Sequence, residues 1–354
     1  MTTTDDAIRL TYLSQEDLLY AGCLDFNMAV ETAEQALVAY REGDVVFPEK
    51  IVQIFDQDTQ ERINCLPATL LSEKICGMKW VSVFPPNVPR YGLQNLTAVF
   101  VLSEIERGFP IAVLEGTLAS NMRVGAMGAL AAKHFAPDDA ESIGFIGAGE
   151  QAKMHLLAMK TVRPSLMQCR VAALTSGEEE QFVAELSPLL PDMEFVNAGA
   201  NPERAMRDAD ILGTATSAQA PLLQAPWVKP GSFYSHVGGW EDDYEVAKQS
   251  DTIVCDDWET VKHRTQTLSR MYKDGLLSDE DIHGNLGDVI ADERSGRGSD
   301  DERVYFNAVG LSYVDIALAL AMFRRASDAG RGTELTMQDH KIFEHPDIAE
   351  NFAL

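Results

Sequence analysis

Two groups of residues have types and spacings that could do chemistry. The first is Gly147-Ala148-Gly149-Glu150-Gln151-Ala152, led in by the apolar run Ile143-Gly144-Phe145-Ile146. Gly147 permits a tight turn, Gly149 lets the backbone approach a pyrophosphate, and the small Ala152 lets a helix pack closely on its strand. A helix starting at Glu150 and Gln151 offers phosphates its free N–H groups and the positive end of its dipole. The pattern predicts a dinucleotide, NAD or NADP. The second is Lys79, set inside the apolar stretch ICGMKWVSV. An ammonium there is costly unless a partner or a substrate neutralises it. The seven histidines include no HxxxH pair, and Cys23, Cys65, Cys76, Cys169 and Cys255 include no CxxC. Neither a metal site nor a disulfide framework is expected.

These residues need elements to hold them. Residues 51–55, 63–66, 75–84, 97–102 and 111–115 read as strands. Residues 9–46 read as a short strand followed by a helix with apolar spacing from Leu24 to Tyr40. The segment PPNVPRYGLQN reads as a loop. The first third is therefore α+β with a mostly antiparallel sheet. Residues 117–135 form a helix rich in Ala and Gly, which implies close packing against a neighbouring backbone. From residue 142 strands and helices alternate, which predicts a parallel sheet with helices on both faces. Residues 261–292 look helical and irregular, ERSGRGSDDE is a polar loop, and 311–328 is a closing helix. The expected fold is α/β, with a Rossmann-type doubly wound parallel sheet in the middle of the chain after an α+β first third.

The strand before Thr214 ends in Thr214-Ala215-Thr216-Ser217, and loops at such strand ends line the cofactor crevice. All four are expected cofactor contacts. The second strand, Arg170–Leu174, is followed by Thr175, Ser176 and Gly177. Neither an acid for a ribose 2′-OH nor an Arg for a 2′-phosphate stands there, so NAD and NADP both remain open. Thr175 and Ser176 are the contacts expected at that end.

The totals exclude several classes. The 354 residues suggest about two domains. Asp and Glu number 55 against 29 Lys and Arg, a net charge of −26 that repels phosphate backbones and argues against nucleic acid. No apolar run reaches the roughly 18–20 residues of a membrane span. The N-terminus MTTTDDAIRL lacks the features of a secretory signal, so a cytoplasmic enzyme is expected.

Several motifs match a known family in order and spacing. They are Gly77-Met78-Lys79-Trp80-Val81, Tyr91-Gly92-Leu93, Gly108 to Val113, Met122-Arg123, Ala129 to His134, Ile146 to Ala152, and Ala209-Asp210-Ile211 through Thr216-Ser217. The chain resembles the ornithine cyclodeaminase/μ-crystallin superfamily. The segments Val254 to Trp258, Leu286-Gly287, Asp300 to Glu302 and Gly330 to Leu335 are most similar to its N-(2-amino-2-carboxyethyl)-L-glutamate synthase/dehydrogenase branch.

The resemblance implies a Rossmann-type doubly wound parallel sheet inserted into an α+β substrate-binding and dimerisation domain, with bounds at 1–120 plus 308–354 for the outer domain and 121–307 for the NAD(P)-binding domain, and a homodimer acting on a small α-amino or α-imino acid. It implies substrate contacts at Lys50, where many relatives carry Arg, and at Asn95 and Arg123. Arg123 is also implied in cofactor binding, and Val237 and Gly310 are counted with the cofactor contacts. Lys79 is implied in proton transfer. The family's acid after the strand Ser232–Val237 corresponds best to Glu241, with Asp242 fitting nearly as well. The function implied is an NAD(P)-dependent imine reductase or amino acid dehydrogenase. A lyase that releases ammonia with bound NAD recycled is the alternative, and a non-catalytic ligand-binding protein is a third.

Overall fold

Alternating burial along ERINCLPATL, ICGMKWVSV and LTAVFVLSE gives three long strands, Glu61–Leu70, Ile75–Val83 and Leu96–Glu104. The computed structural model describes residues 7–353. Within them the chain divides into two units. One comprises the chain up to Leu24, Asp44–Leu118, and Asp315 onward; the other comprises Asp25–Gly43 and Ala119–Val314.

The first unit is built on one sheet. Its order is Thr333–Gln338, Ile8–Leu13, Pro110–Glu115, Leu96–Glu104, Ile75–Val83, Glu61–Leu70 and Val45–Val46, and Ile51–Asp56 also pairs with Glu61–Leu70. Every pairing is antiparallel except Ile8–Leu13 with Pro110–Glu115. One face carries Leu66, Ala68, Val81, Phe100, Leu102, Ala112 and Leu114, all buried. The edge strand Thr333–Gln338 has no strong sequence signal, because its residues are exposed on both faces. The segment expected to be a loop contains a single helical turn, Asn87–Tyr91, stopped by Gly92 at φ 64.

The second unit holds an all-parallel sheet. Its order is Glu194–Gly199, Gln168–Ala172, Ser142–Ile146, Ile211–Thr214, Phe233–His236, Val304–Asn307, Thr252–Cys255 and Gly284–Asn285. Successive strands run outward in one direction from Ser142–Ile146 and then, from Ile211–Thr214, in the other. That reversal is the switch point beside which α/β sheets bind ligands. The helix Phe26–Arg41, expected with the N-terminal domain, groups with this unit. Gly287 explains part of its docking, because a Cβ there would lie 3.5 Å from Arg41 Cγ.

The helix Thr117–Phe135 packs as its composition implies. A Cβ on Gly125 would meet the Met154 carbonyl oxygen at 2.7 Å, and one on Gly128 would meet the His155 ring at 2.9 Å. His155, on the helix Glu150–Val162, bonds Gln151 O through Nδ1 at 2.8 Å, and burial lowers its pKa to about 4. Among residues 261–292 the helices are short, Thr267–Lys273 and Leu286–Ile290. The polar loop after them is fastened by Arg297, which donates to the carbonyls of Phe135, Gly231 and Glu302. No helix among the described residues is long and apolar enough to cross a membrane.

Candidate active site

The glycine elbow closes the strand Ser142–Ile146 and opens the helix Glu150–Val162. Gly147 has φ +103, a conformation that favours glycine. A side chain there is also excluded sterically, since its Cβ would meet the Ala215 carbonyl oxygen at 2.6 Å and Thr216 Cγ2 at 3.0 Å. Gly149 caps the helix and has open space where a Cβ would stand. Ala148 and Ala152 are buried. Glu150 pairs with Lys153 at 2.7 Å, and Gln151 donates to Asn121 Oδ1 at 2.5 Å. Thr175 and Ser176 lie exposed after the strand Gln168–Ala172. An open helix start behind two glycines, with Ala152 fully buried, fits a dinucleotide pyrophosphate.

The loop Thr214–Ser217 leaves the neighbouring strand and lies against this elbow. Ala215 N donates to Ile146 O at 3.0 Å, and Val237 N donates to Thr214 O at 3.2 Å. Arg123 is buried with its guanidinium against Gly310, where a Cβ would come within 2.7 Å of Nη1. The Gly310 turn, at φ +87, is held by Asp256, whose Oδ2 accepts from Val309 N at 3.0 Å and Gly310 N at 2.8 Å. Burial pushes the Asp256 carboxyl up to about 6.

Glu241 and Asp242, expected as proton carriers, are both fully buried within the second unit and engaged there. They sit on the short strand Trp240–Asp242, which pairs with Gln219–Leu223. Glu241 Oε1 accepts from Thr216 N at 2.5 Å and Thr216 Oγ1 at 2.7 Å. Its Oε2 accepts from Thr214 Oγ1 at 2.9 Å and Gly238 N at 2.7 Å. Asp242 accepts from Thr267 Oγ1 at 2.6 Å and from the Tyr305 hydroxyl at 3.0 Å, and burial pushes its carboxyl up to about 6. An acid that protonates a substrate must turn an oxygen towards it, and these side chains turn theirs inward. His236 is fully buried with Nδ1 2.8 Å from Asn307 Oδ1. Its Nε2 stands 3.7 Å from Glu241 and 3.6 Å from Asp242.

In the first unit the strand Ile75–Val83 turns Lys79 to the buried face. Its Nζ lies 2.7 Å from Asp315 Oδ2, with side-chain exposures of 4% and 0%. Asp315 comes from the closing helix Ser312–Asp328 and was missed in the sequence. An acid in the otherwise apolar LSYVDIALALAM was the available signal. Lys50 directly precedes the strand Ile51–Asp56 and is partly buried. Ile51 pairs with Cys65, and the next residue, Leu66, pairs with Lys79. Lys50 therefore falls in the row of Lys79, two strand spacings away, roughly 10 Å. Asn95 lies next to the end of the Lys79 strand, its carbonyl accepting from Phe84 N at 2.8 Å. Its Oδ1 is buried without a hydrogen-bond partner. The predicted residues thus form two sets, Lys50, Lys79 and Asn95 in one unit and Arg123 with the glycine elbow in the other. No group of three or more metal-ligating side chains occurs among the described residues.

A glycine elbow at the switch point of a parallel sheet, within a chain whose other unit is built on a largely antiparallel sheet, defines a Rossmann-type two-unit protein. The chain belongs to the ornithine cyclodeaminase/mu-crystallin family, whose model matches residues 21–330. It is 27% identical over 332 residues to the N-((2S)-2-amino-2-carboxyethyl)-L-glutamate dehydrogenase of Staphylococcus aureus, covering 93% of this chain and 98% of that protein. The Thermococcus litoralis Delta(1)-pyrroline-2-carboxylate reductase, solved with NADH and L-proline, superimposes with a TM-score of 0.87 at 28% identity, over 92% of this chain and 99% of that one. An archaeal alanine dehydrogenase dimer with bound NAD gives a TM-score of 0.84 at 28% identity, over 94% and 100%.

Proposed function

We propose that this chain is a nicotinamide-dependent oxidoreductase acting at the C–N bond of a small α-amino or α-imino acid. The observation that carries the reading is the elbow, where Gly147 yields to the Ala215 carbonyl and Gly149 stands open at a helix start beside the switch point. The relatives, which are reductases and dehydrogenases of amino and imino acids, support it. A reduced nicotinamide held by the Gly147–Gly149 elbow would supply hydride chemistry at the substrate's C–N carbon. Lys79 is assigned the proton taken up by the substrate nitrogen, with Asp315 as its counter-charge. Lys50 is assigned the substrate carboxylate, as a point charge without the bidentate fork of Arg. Asn95 Oδ1, a buried acceptor without a partner, is assigned a substrate N–H. Arg123, in the same unit as the elbow, is assigned an anionic group of the dinucleotide.

A homodimer is part of the same proposal. Tyr12, Trp80 and Val99 are exposed on the sheet face opposite Lys79 and Phe100. An exposed apolar sheet face marks an interaction surface, and a second copy presents the same face. A panel of amino and imino acids with both cofactors tests the function. Substrate-dependent change in the reduced-nicotinamide absorbance is expected. Ammonia release without net change would show the lyase instead, and a melting-point shift by ligand with neither would show a binding protein.

A further inference from the structure

We infer that Glu241 is a positioning residue for the dinucleotide site, acting through the Thr214–Ser217 loop; this rests on the dinucleotide reading above. A carboxylate has about four lone-pair sites. In Glu241 four donors fill them, Thr214 Oγ1, Thr216 N, Thr216 Oγ1 and Gly238 N, at 2.5–2.9 Å. Two of these donors lie on the loop's backbone and side chain at one residue, one at the strand end before it, and one on the neighbouring strand's loop. The carboxylate is thus a knot that ties two strand-end loops together at the sheet's carboxyl edge.

The knot reaches the elbow directly. The atoms that forbid a side chain at Gly147 belong to Ala215, which lies between the two bonded threonines, and to Thr216, which is one of them. Gly238 is explained by the same contact, because a Cβ there would meet Glu241 Cδ and the Thr216 carbonyl oxygen at 2.5 Å. No oxygen of Glu241 is exposed. Charge-assisted hydrogen bonds from a full set of donors fix geometry, and the geometry fixed here is that of the surface against the elbow. Neutralising the side chain as Gln keeps its size but turns an NH2 towards donors on one of its two sides. The backbone N–H on that side then faces another donor, while the threonine hydroxyl beside it must turn round to accept.

The test titrates full-length wild type, Glu241→Gln and Thr216→Val with NADH, following nicotinamide fluorescence, and records steady-state rates across pH. For Glu241→Gln the expected result is an NADH Kd and KM raised about tenfold or more, with kcat at saturating cofactor and the shape of its pH profile kept. Thr216→Val, which removes one donor and leaves the acid in place, should raise Kd in the same direction by a smaller factor. It carries the test if the Gln variant does not fold. An unchanged Kd in either folded variant overturns the inference. Loss of one limb of the pH profile in Glu241→Gln at unchanged Kd also overturns it and makes the residue a proton carrier. Wild-type protein that does not bind NADH overturns the dinucleotide reading itself, and this inference with it.

Discussion

Lys79 and Glu241 are both buried charges, and the fold neutralises them in opposite ways. Lys79 meets one full counter-charge, Asp315, across 2.7 Å. Glu241 meets no cation in hydrogen-bonding contact; it is surrounded by hydroxyl and backbone donors. An ion pair leaves one isolated charge when broken, whereas a ring of dipoles loses its members singly. The pair suits a group that must rest in its charged form. The ring suits a group that must hold other atoms still.

That contrast has a measurable size. Asp315→Ala should destabilise the fold by about 3–5 kcal/mol, because it strands a buried ammonium. The double variant Lys79→Met with Asp315→Leu should recover most of that loss in a denaturant titration. Failure to recover it would show that the pair is not the source of the cost. Glu241→Gln should cost less, about 1–3 kcal/mol, the penalty for buried donors left facing one another. A loss as large as that of Asp315→Ala would mean that Glu241 answers a full charge after all.

Asp256 sharpens the comparison at smaller amplitude. It is held by the amides of Asp257, Val309 and Gly310, and burial pushes its carboxyl from the ordinary 3.8 up to about 6. A carboxyl raised in the folded chain keeps its proton where the unfolded chain has lost it. Its contribution to stability is therefore full below about 3.8, falls as pH rises to about 6, and is constant above. The stability difference between wild type and Asp256→Asn should change across that window and be flat above it. A difference that is constant from pH 4 to 7 would contradict the assignment of that titration to Asp256.

The same contrast divides what could be read in the sequence from what could not. The elbow was legible because its cause is local: two glycines and an alanine between a strand and a helix state their own backbone geometry. Lys79 was legible as a charge in an apolar strand, though its partner lies more than two hundred residues on. Asp315 shows only as one acid in an apolar helix. Glu241 was legible as an acid after a strand, but the bonds it makes were not. What decides that role is the convergence of Thr214, Thr216 and Gly238 on one carboxylate, which depends on two loops meeting across parallel strands. The edge strand Thr333–Gln338 was missed because its only support is pairing with Ile8–Leu13, a contact the local sequence does not announce.

The central claim is that Lys79 serves the substrate's proton while the dinucleotide is held elsewhere in the chain. Lys79→Ala, assayed for turnover and for NADH affinity on the same preparation, tests it most directly. Turnover should fall by about 10²–10⁴ with the NADH Kd nearly unchanged. Turnover that survives within about tenfold of wild type, in protein that still binds NADH, would contradict the account.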